Sequence, residues 1–223
     1  MVSLAQKLAN DPVFSHLTER DRADLADLAF HKTYEKGQFI CLQEDLWKRA
    51  LYLSSGMLGW VMIAADGKRQ VVFRIKPNTV VWGHSLFDNK PMPASLEVIE
   101  KSEVCMWEGD AILPITSRSA NAAWAVTAGL VSSMRQVRDV VYGFAFHPVA
   151  GRLANLLLRH YQPIEGKSTP RTLSLEEMAQ AIGTSRELVS KTLHQFADQE
   201  MIEVSRVEFV FTDRKKLEEV ANE

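Results

Sequence analysis

The sequence predicts an α+β fold in three parts: an antiparallel β-barrel, one long helix, and a C-terminal helix-turn-helix followed by a β-hairpin. Three observations lead to this prediction. Short apolar runs separated by turn residues recur roughly every ten residues in the first half of the chain. One uninterrupted helical pattern follows, and two short amphipathic helices separated by a glycine come after it. We place the three parts at residues 1–115, 116–146 and 147–223.

The first part begins with helical patterns at residues 4–8 and 18–30 and continues as strands. Each strand-like run ends at a turn signal, such as Asp66-Gly67 or Pro77-Asn78. The predicted strands are Phe39–Leu42, Ala50–Leu53, Leu58–Ala64, Val71–Ile75, Val80–Trp82, Leu96–Ile99 and Val104–Trp107. Many short strands with such turns are typical of an antiparallel sandwich or barrel.

The second part, about Ser119 to Phe146, is predicted to be a single helix. Apolar residues recur along it every three or four positions, at Val126, Leu130, Met134, Val137 and Val141. A lone helix after a barrel has little of its own domain to pack against, so this seam predicts a parallel dimer. Packing on its own barrel is the alternative. Proline disfavours helix at the preceding residue, so Phe146, His147 and Pro148 form the predicted hinge.

A helix-turn-helix is predicted between Leu173 and Phe196. Ser174 and Glu177 have the spacing of a capping box at the start of the first helix. Gly183 ends that helix, because glycine tolerates the left-handed conformation of a helix C-terminus. Thr184 is predicted to begin the second helix. Small residues at the contact let the two helices cross tightly, as a DNA-binding helix-turn-helix requires.

The outward face of the second helix is polar and is the candidate DNA-contacting surface. Its residues, with Thr184 at the turn, are Ser185, Arg186, Glu187, Ser190, Lys191 and His194. A plain helical hairpin with a solvated face is the alternative. The runs Met201–Val204 and Val207–Phe211 favour DNA binding, because they predict the β-hairpin wing of a winged helix. Thr212-Asp213 is predicted to cap a last short helix.

The composition is that of an ordinary globular protein: 223 residues, 46% hydrophobic, 24% charged, with a net charge of −2. From His147 onward ten Lys and Arg stand against twelve Asp and Glu. That balance argues against non-specific coating of DNA, but it is compatible with a dimer that places a few cations locally.

The expected location is the cytoplasm, with no membrane association. No apolar stretch approaches the roughly 20 residues needed to cross a bilayer, and Met1–Asn10 lacks the features of a secretory signal. The two cysteines, Cys41 and Cys105, are far apart and form neither a disulfide framework nor a metal cluster. We expect inert core thiols, with a redox pair as the alternative.

Three sets of residues carry a family resemblance. The domain junction has the pattern Phe146-x-x-Val149-x-Gly151-Arg152-Leu153-Ala154. The second helix of the helix-turn-helix has Ser185-Arg186-Glu187-x-Val189-Ser190-Lys191. The barrel turns fall at Gly37, Gly56, Asp66-Gly67 and Gly83. In these patterns and their order, nearly the whole chain resembles the cAMP receptor protein/FNR family of bacterial transcription regulators.

The resemblance implies a homodimer that binds a palindromic operator, with RNA polymerase as a partner. It also implies a jelly-roll sensor domain, like a cyclic-nucleotide-binding domain, whose small effector gates DNA binding. By the same resemblance Arg186, Glu187 and Lys191 occupy the base-reading positions. Lys191 replaces an arginine of the cAMP-responsive members and loses its bidentate fork. Thr184, Ser185 and Ser190 are expected to hold phosphates.

The effector loop departs from the cAMP-responsive members, which carry Gly-Glu-Leu-Gly and, about ten residues on, Arg-Ser. Here His84 replaces the glutamate, and no arginine stands beside Ser95. A buried cyclic phosphate would lack its countercharge, so we expect an effector other than cAMP. Met1–His31 contains no cysteine, so the iron–sulfur cluster of the oxygen-sensing members is not expected either.

Two effector alternatives remain. The haem-based carbon monoxide sensors of the family use a histidine in this loop, so His84 is a candidate haem ligand, although Trp82 stands at their cysteine position. An apolar or aromatic molecule is the other alternative, with an acidic group paired by Arg74 or Lys90. The candidate effector residues are Arg74, Trp82, His84, Lys90 and Ser95. The aromatic and thioether side chains that could line such a pocket are Trp60, Met62, Phe73, Trp82 and Trp107.

Two other classes of function compete with DNA binding. An enzyme is not expected, because the chain has no GxSxG, HExxH or phosphate-binding loop. A cyclic-nucleotide-binding module that regulates a partner without contacting DNA stays an alternative. The predicted wing and the polar outer helix face argue against it, because such a module needs neither.

Overall fold

A computed structural model describes residues 3–223 of the chain. They form two compact units. One comprises the residues up to Gly67 together with Val72–Val137, and the other comprises Lys68–Val71 and Arg138–Glu223. The three-part division at residues 115 and 146 stays a prediction. Among the described residues no helix is both long enough and apolar enough to span a membrane.

The first half of the chain contains the predicted helices and strands, and also three elements that were not predicted, at Phe30–Tyr34, Ser85–Asp88 and Gly109–Thr116. The helix predicted over residues 18–30 ends at Leu28, because Phe30 begins a strand that pairs with Met106. The elements are α1 (Leu4–Leu8), a 3-10 turn (Phe14–His16), α2 (Glu19–Leu28), β1 (Phe30–Tyr34), β2 (Phe39–Cys41), β3 (Arg49–Ile63), β4 (Arg69–Ile75), β5 (Thr79–Trp82), α3 (Ser85–Asp88), β6 (Ser95–Glu108), α4 (Gly109–Thr116) and α5 (Ala120–Phe146). The prediction of one long helix ending at Phe146 is confirmed.

The strands form a six-stranded, jelly-roll-like sheet rather than a closed barrel, which corrects that detail of the predicted α+β fold. Strand β6 pairs antiparallel with β1, β2 and β3, and β3 also pairs antiparallel with β5. Strand β4 lies beside β3 at the end of the path β1-β6-β3-β4. Two long strands thus connect the sheet, and the short strands attach to their edges.

The long strands correct the prediction of several short ones. Ala50–Leu53 and Leu58–Ala64 are largely parts of β3, and the two last predicted runs are both within β6. The turn signal around Gly56 bends β3 without ending it, because Gly56 adopts φ +87 and the pairing with β6 shifts register between Leu53 and Leu58. A β-bulge can absorb such a signal inside a continuous strand.

The core of the first unit lies between the sheet, the N-terminal helices and the start of α5. Phe14 packs against both Trp82 and Trp107. Its ring centroid lies 6.1 Å from that of Trp82 and 5.8 Å from that of Trp107. The indole N–H of Trp107 donates to the carbonyl of Leu25 at 2.7 Å. Because Trp107 is fully buried there, it belongs to the core and does not line the predicted effector pocket.

The second unit is a winged helix-turn-helix, as predicted. After the end of α5 it contains α6 (Val149–Tyr161), β7 (Ser168–Pro170), α7 (Leu175–Ile182), α8 (Arg186–Asp198), β8 (Ile202–Val204), β9 (Glu208–Phe211) and α9 (Arg214–Asn222). Strands β8 and β9 form the predicted hairpin, and Asp213 caps the last helix as predicted. Strand β7 was not predicted; it pairs with β9 and is only three residues long.

Buried side chains from α6 to α9 and the wing share one core. Phe209 and Phe211 are fully buried, and Tyr161 packs edge-on against Phe209 at 5.4 Å. The predicted capping box of α7 is present: the Ser174 hydroxyl accepts from Glu177 N–H, and the Glu177 carboxylate accepts from Ser174 N–H.

Both cysteines are buried and carry free thiols. Burial raises the pKa of Cys41 to about 12. Burial also raises the pKa of Cys105, whose Sγ lies 3.2 Å from Nδ1 of His31. Reactivity of a cysteine requires the thiolate, so these environments support inert core thiols over a redox pair.

Candidate functional site

Helix α8 has one buried and one exposed face. Val189, Leu193 and Phe196 are buried in the core of the second unit. The predicted DNA-contacting residues lie on the rest of its surface. Ser185, Arg186, Glu187, Lys191 and His194 are exposed, and Thr184 and Ser190 are half-buried. The stripe that buries α8 therefore determines which polar side chains face outward.

The helix N-cap is Ser185 rather than the predicted Thr184. The N–H of Thr184 bonds to the carbonyl of Ala179 at 3.0 Å, so its backbone still belongs to the end of α7. The Ser185 hydroxyl accepts from Leu188 N–H at 3.3 Å. Ser185 was predicted to be a phosphate contact, but here its hydroxyl caps the helix.

The N-terminal turn of α8 also positions Glu187. Its own backbone amide and the Ser185 side chain hold the pKa of the Glu187 carboxyl below its usual value. The positive end of a helix dipole favours a carboxylate at this place as well. Glu187 therefore presents an ionised acceptor on the exposed face.

Three further side chains on α8 are available to a ligand. The side chains of Arg186 and Lys191 make no hydrogen bond or ion pair with residues 3–223, although Arg186 interacts electrostatically with its neighbour Glu187. The His194 ring donates through Nδ1 to the carbonyl of Ser190 at 2.7 Å, which leaves Nε2 available to a ligand. An exposed helix with these donors and acceptors matches what a major groove offers.

The wing turn contributes a cation that was not singled out from the sequence. Arg206 is exposed between β8 and β9. The Ser205 hydroxyl closes this turn by accepting from Glu208 N–H at 2.9 Å. A cation at a hairpin tip is a weak sequence signal, because surface arginines are common in turns of any function.

A cavity of about 710 Å³ lies in the first unit. It is bounded by the β4–β5 segment, the N-terminal turn and the first half of α5. Three of the five predicted effector residues, Arg74, Trp82 and His84, come together in its lining. The sequence did not predict Lys76, Asp11 or the hydroxyls of Ser132 and Ser133 on α5 as lining residues, because they come from segments far apart in the chain.

The other two predicted effector residues lie elsewhere. Lys90 is exposed in the loop after α3, where its N–H donates to Asp88 Oδ1 at 3.0 Å. Ser95 is buried, and its hydroxyl accepts from Gln43 N–H at 2.9 Å. Neither residue lines the cavity. Met62 is exposed and does not line it either.

Aromatic rings form one side of the cavity. Trp60 and Phe73 are parallel to within 5°, with centroids 6.1 Å apart. The imidazole of His84 lies 5.3 Å from the Trp60 ring. Its Nδ1 is buried and has no partner among the described residues. Burial lowers the pKa of His84, which favours the neutral ring.

Helix α5 has a covered side and an open side. Val126, predicted to be in the dimer seam, is buried in the core of its own unit, and Leu130 packs partly against that core. The other three seam residues, Met134, Val137 and Val141, are exposed. Trp124 and Val131 are exposed too, and Trp124 is 75% accessible. Neither was among the predicted seam residues.

The predicted hinge lies at the junction of α5 and α6. Phe146 is exposed, and Pro148 is the N-cap of α6. Arg152 donates to the carbonyls of both His147 and Ile182 at 3.0 Å. Its guanidinium lies 4.8 Å from the centre of the Phe144 ring. Arg152 thus connects the hinge to the end of α7.

Two protein families have models that match this chain. The cyclic nucleotide-binding domain matches residues 31–119, and the Crp-like helix-turn-helix domain matches residues 151–220. The chain belongs to the Crp/Fnr family. It is a transcription regulator of this type, with a DNA-binding helix-turn-helix and an effector-binding domain.

Individual relatives are distant. The chain is 24% identical to a CRP-like cAMP-activated global transcriptional regulator of Mycobacterium tuberculosis, over 82% of this chain and 84% of that protein. It is also 24% identical to the cyclic AMP receptor protein of Thermus thermophilus, over 96% of this chain and 98% of that protein. A Crp/Fnr-family regulator structure from Eubacterium rectale has a TM-score of 0.80 at 18% identity, covering 95% of this chain and 98% of that one.

Proposed function

We propose that this Crp/Fnr regulator is a homodimer that reads a palindromic operator through α8 and responds to an effector other than cAMP. The observation that supports DNA reading best is the pair of unpaired cations, Arg186 and Lys191, on the exposed face of α8. Arginine and lysine bond guanine O6 and N7, and a carboxylate such as Glu187 accepts from cytosine N4. Thr184 and Ser190 are left for phosphates.

The proposed dimer uses the open side of α5. Trp124 and Val131 are seven residues apart, and Met134 follows three residues later, which is the spacing of a coiled-coil seam. All three are exposed, and large apolar side chains grouped on one helix face mark an association surface. A two-fold dimer would place its half-sites about one helical turn, roughly 34 Å, apart.

Two relatives are named for cAMP, but we do not expect cAMP to be the effector of this chain. A cyclic nucleotide needs a cation to pair with its phosphate and a hydrogen-bonding partner for its ribose. His84 stands in place of the glutamate expected to hold the ribose, and no arginine stands beside Ser95 to pair with the phosphate. Haem bound by His84 remains the alternative cofactor, and a Soret band in the purified protein would reveal it. The proposal further includes RNA polymerase as a partner, a cytoplasmic location and no catalysis.

Selection of binding sites from a random DNA duplex pool tests this function. The full-length protein should enrich a palindrome with G·C-rich half-sites. Arg186→Ala and Glu187→Ala should each relax one base position and cost about 1–3 kcal/mol of discrimination. Lys215→Ala removes an exposed cation on α9 and serves as the matched control. Unchanged sequence preference and affinity in Arg186→Ala and Glu187→Ala would show that α8 is not the reading helix.

A pool that yields no enriched sequence, with or without added ligands, would favour the second candidate function. The sensor half would then act as a regulatory module on a protein partner. The presence of a family cyclic nucleotide-binding domain over residues 31–119 is the observation that supports this candidate.

A further inference from the structure

We infer that the cavity of the first unit binds a planar aromatic carboxylic acid, and that this molecule is the effector of the regulator. The role of this ligand as an effector rests on the proposed function, whereas the binding site is argued from the residues that line the cavity. Three features of that lining define the ligand: an unpaired guanidinium, a wall of aromatic rings, and a buried ring nitrogen without a partner.

Arg74 supplies the positive charge. It is half-buried, lines the cavity, and makes no hydrogen bond or ion pair with residues 3–223. Lys76 lines the cavity too and is equally unpaired among these residues. A partly buried cation without a partner loses hydration and gains nothing in return, so an anionic ligand would stabilise it. The planar guanidinium fits a carboxylate with two parallel hydrogen bonds.

The acid already in the lining does not neutralise this charge. Asp11 is the carboxylate among the described residues that border the cavity. Its Oδ1 accepts from the N–H groups of Val13 at 2.8 Å and Phe14 at 3.2 Å. Burial raises the pKa of Asp11, whereas these two backbone hydrogen bonds lower it. The cavity carries an excess of positive charge because Arg74 and Lys76 stand against this one carboxylate in the described lining.

The aromatic side of the cavity selects the body of the ligand. Trp60, Phe73 and Trp82 all line the cavity, and the first two present parallel rings. Flat faces favour a flat ligand, because offset stacking adds to the burial of apolar area. The volume of about 710 Å³ lies within the usual range of small-molecule sites, roughly 300–1,000 Å³.

His84 supplies a second polar contact. Its Nδ1 is buried and unpartnered, and buried polar groups in native proteins nearly always have a partner. A ring hydroxyl on the ligand could donate to this nitrogen or accept from it. Within the proposed class of aromatic acids, this contact favours those that also carry a ring hydroxyl.

The same lining argues against a cyclic nucleotide. Its phosphate could pair with Arg74, but its ribose hydroxyl also needs an acceptor. Asp11 is committed to the N-terminal turn, and the described lining has no other carboxylate. A ribose hydroxyl would therefore find no free carboxylate acceptor in the described lining.

Titration calorimetry on the full-length protein tests the inference with matched probes. The first probe is 6-hydroxy-2-naphthoate, and the second is its neutral amide, 6-hydroxy-2-naphthamide. The acid should bind, and the amide should bind roughly 10- to 100-fold more weakly, because a charge-assisted hydrogen-bonded pair is lost. This comparison uses the wild-type chain, so it does not depend on the folding of a variant.

Two variants then locate the contacts. Arg74→Gln should reduce affinity for the acid by roughly the same 10- to 100-fold and leave the amide unchanged. His84→Phe should weaken 6-hydroxy-2-naphthoate but not 2-naphthoate, which lacks the hydroxyl. Lys90→Gln is the matched control, because Lys90 is an exposed cation outside the lining and its loss should change neither affinity.

Equal affinity for acid and amide, an unaffected Arg74→Gln, or binding of cAMP in place of the acid would each overturn the inference. Failure of the DNA-binding role is distinguishable: if the acid binds through Arg74 but no operator can be selected, the ligand class stands and the proposed function falls. If operator binding is found and the acid does not bind, the proposed function stands and the ligand class falls. An acid that binds but leaves operator affinity unchanged overturns the effector part.

Discussion

Gly183 is a single residue on which the helix-turn-helix depends. It ends α7 at φ +64, a left-handed conformation that L-residues other than glycine rarely adopt. A Cβ at this position would also overlap the ring of Phe144. Glycine is therefore required twice, once for the backbone and once for the close approach of an aromatic ring.

The first prediction compares two glycines of the same unit. Gly183→Ala should destabilise the protein by about 2 kcal/mol or more, because about 1–2 kcal/mol of left-handed strain is added to a clash. Gly166→Ala, at φ +72 with open space around it, should cost only the backbone strain. Urea unfolding measures both. Equal decreases in unfolding free energy in the two variants would mean that the Phe144 ring can move aside with no loss of stability.

Ser185 separates a stability role from a DNA-binding role. Ser185→Ala removes the α8 cap and should cost about 1 kcal/mol in urea unfolding. Ser185→Asp keeps a good cap, so stability should stay near wild type. It also adds a negative charge beside the expected phosphates, so DNA affinity should fall. Full DNA affinity in Ser185→Asp would place the phosphates away from this residue.

His84 should make stability depend on pH. Burial lowers the pKa of His84 in the folded state below its ordinary value of 6.5, so the unfolded state binds the proton more readily. The free energy of unfolding should therefore fall as pH drops below about 6.5. His84→Phe should show a smaller fall between about pH 7 and about pH 5. The difference in unfolding free energy between His84→Phe and wild type at pH 7 measures the effect of the altered packing. A variant with the same pH dependence as wild type would show that His84 is not the titrating group.

At the scale of elements, α5 serves two surfaces. Ala122 and Val126 face the core of the first unit, whereas Trp124 and Val131 face outward. The 3.6-residue period makes this division inevitable for a long helix with apolar residues on more than one side. The apolar pattern alone does not say which side its own chain will cover.

The fourth prediction tests the open side of α5. Trp124→Glu should weaken dimerisation about tenfold or more, because a charge in the seam would lose its hydration. Leu46→Glu makes the same kind of change at another exposed apolar residue, outside α5, and should leave the dimer intact. Analytical ultracentrifugation measures both. A Trp124→Glu protein that stays dimeric would move the interface elsewhere.

At the scale of the whole molecule, the net charge of −2 limits how DNA can be held. Long-range attraction to DNA is weak for such a chain, so affinity must come from a few local cations. Arg186, Lys191 and Arg206 are exposed on α8 and at the wing tip of each protomer. Phosphate contacts by a dimer should therefore be few.

The fifth prediction is a shallow salt dependence. Log K against log salt should have a small negative slope, about −0.9 for each phosphate that is neutralised. Arg206→Ala should make that slope less negative by about 2, one contact per protomer, without changing the preferred sequence. Fluorescence anisotropy over a salt series provides the measurement. An unchanged slope would remove the wing tip from the interface.

The sequence alone determined the main helices and strands, the winged helix-turn-helix and the face of α8 that points outward, but not β1, α3, α4 or β7. These features depend on neighbouring residues: the Ser174–Glu177 capping box, the glycine at 183 and the apolar period of α8 all act within one or two helical turns. The family resemblance also rests on such local patterns. The family matches over residues 31–119 and 151–220 confirm it.

Only the tertiary structure decided the rest. It joined the runs on either side of Gly56 into one strand, covered Val126 while leaving Trp124 open, and brought Arg74 and His84 to one cavity without Lys90 or Ser95. These outcomes depend on which distant segments pack together. Burial and strand pairing join residues many positions apart, and their free energy is not contained in any local stretch of sequence.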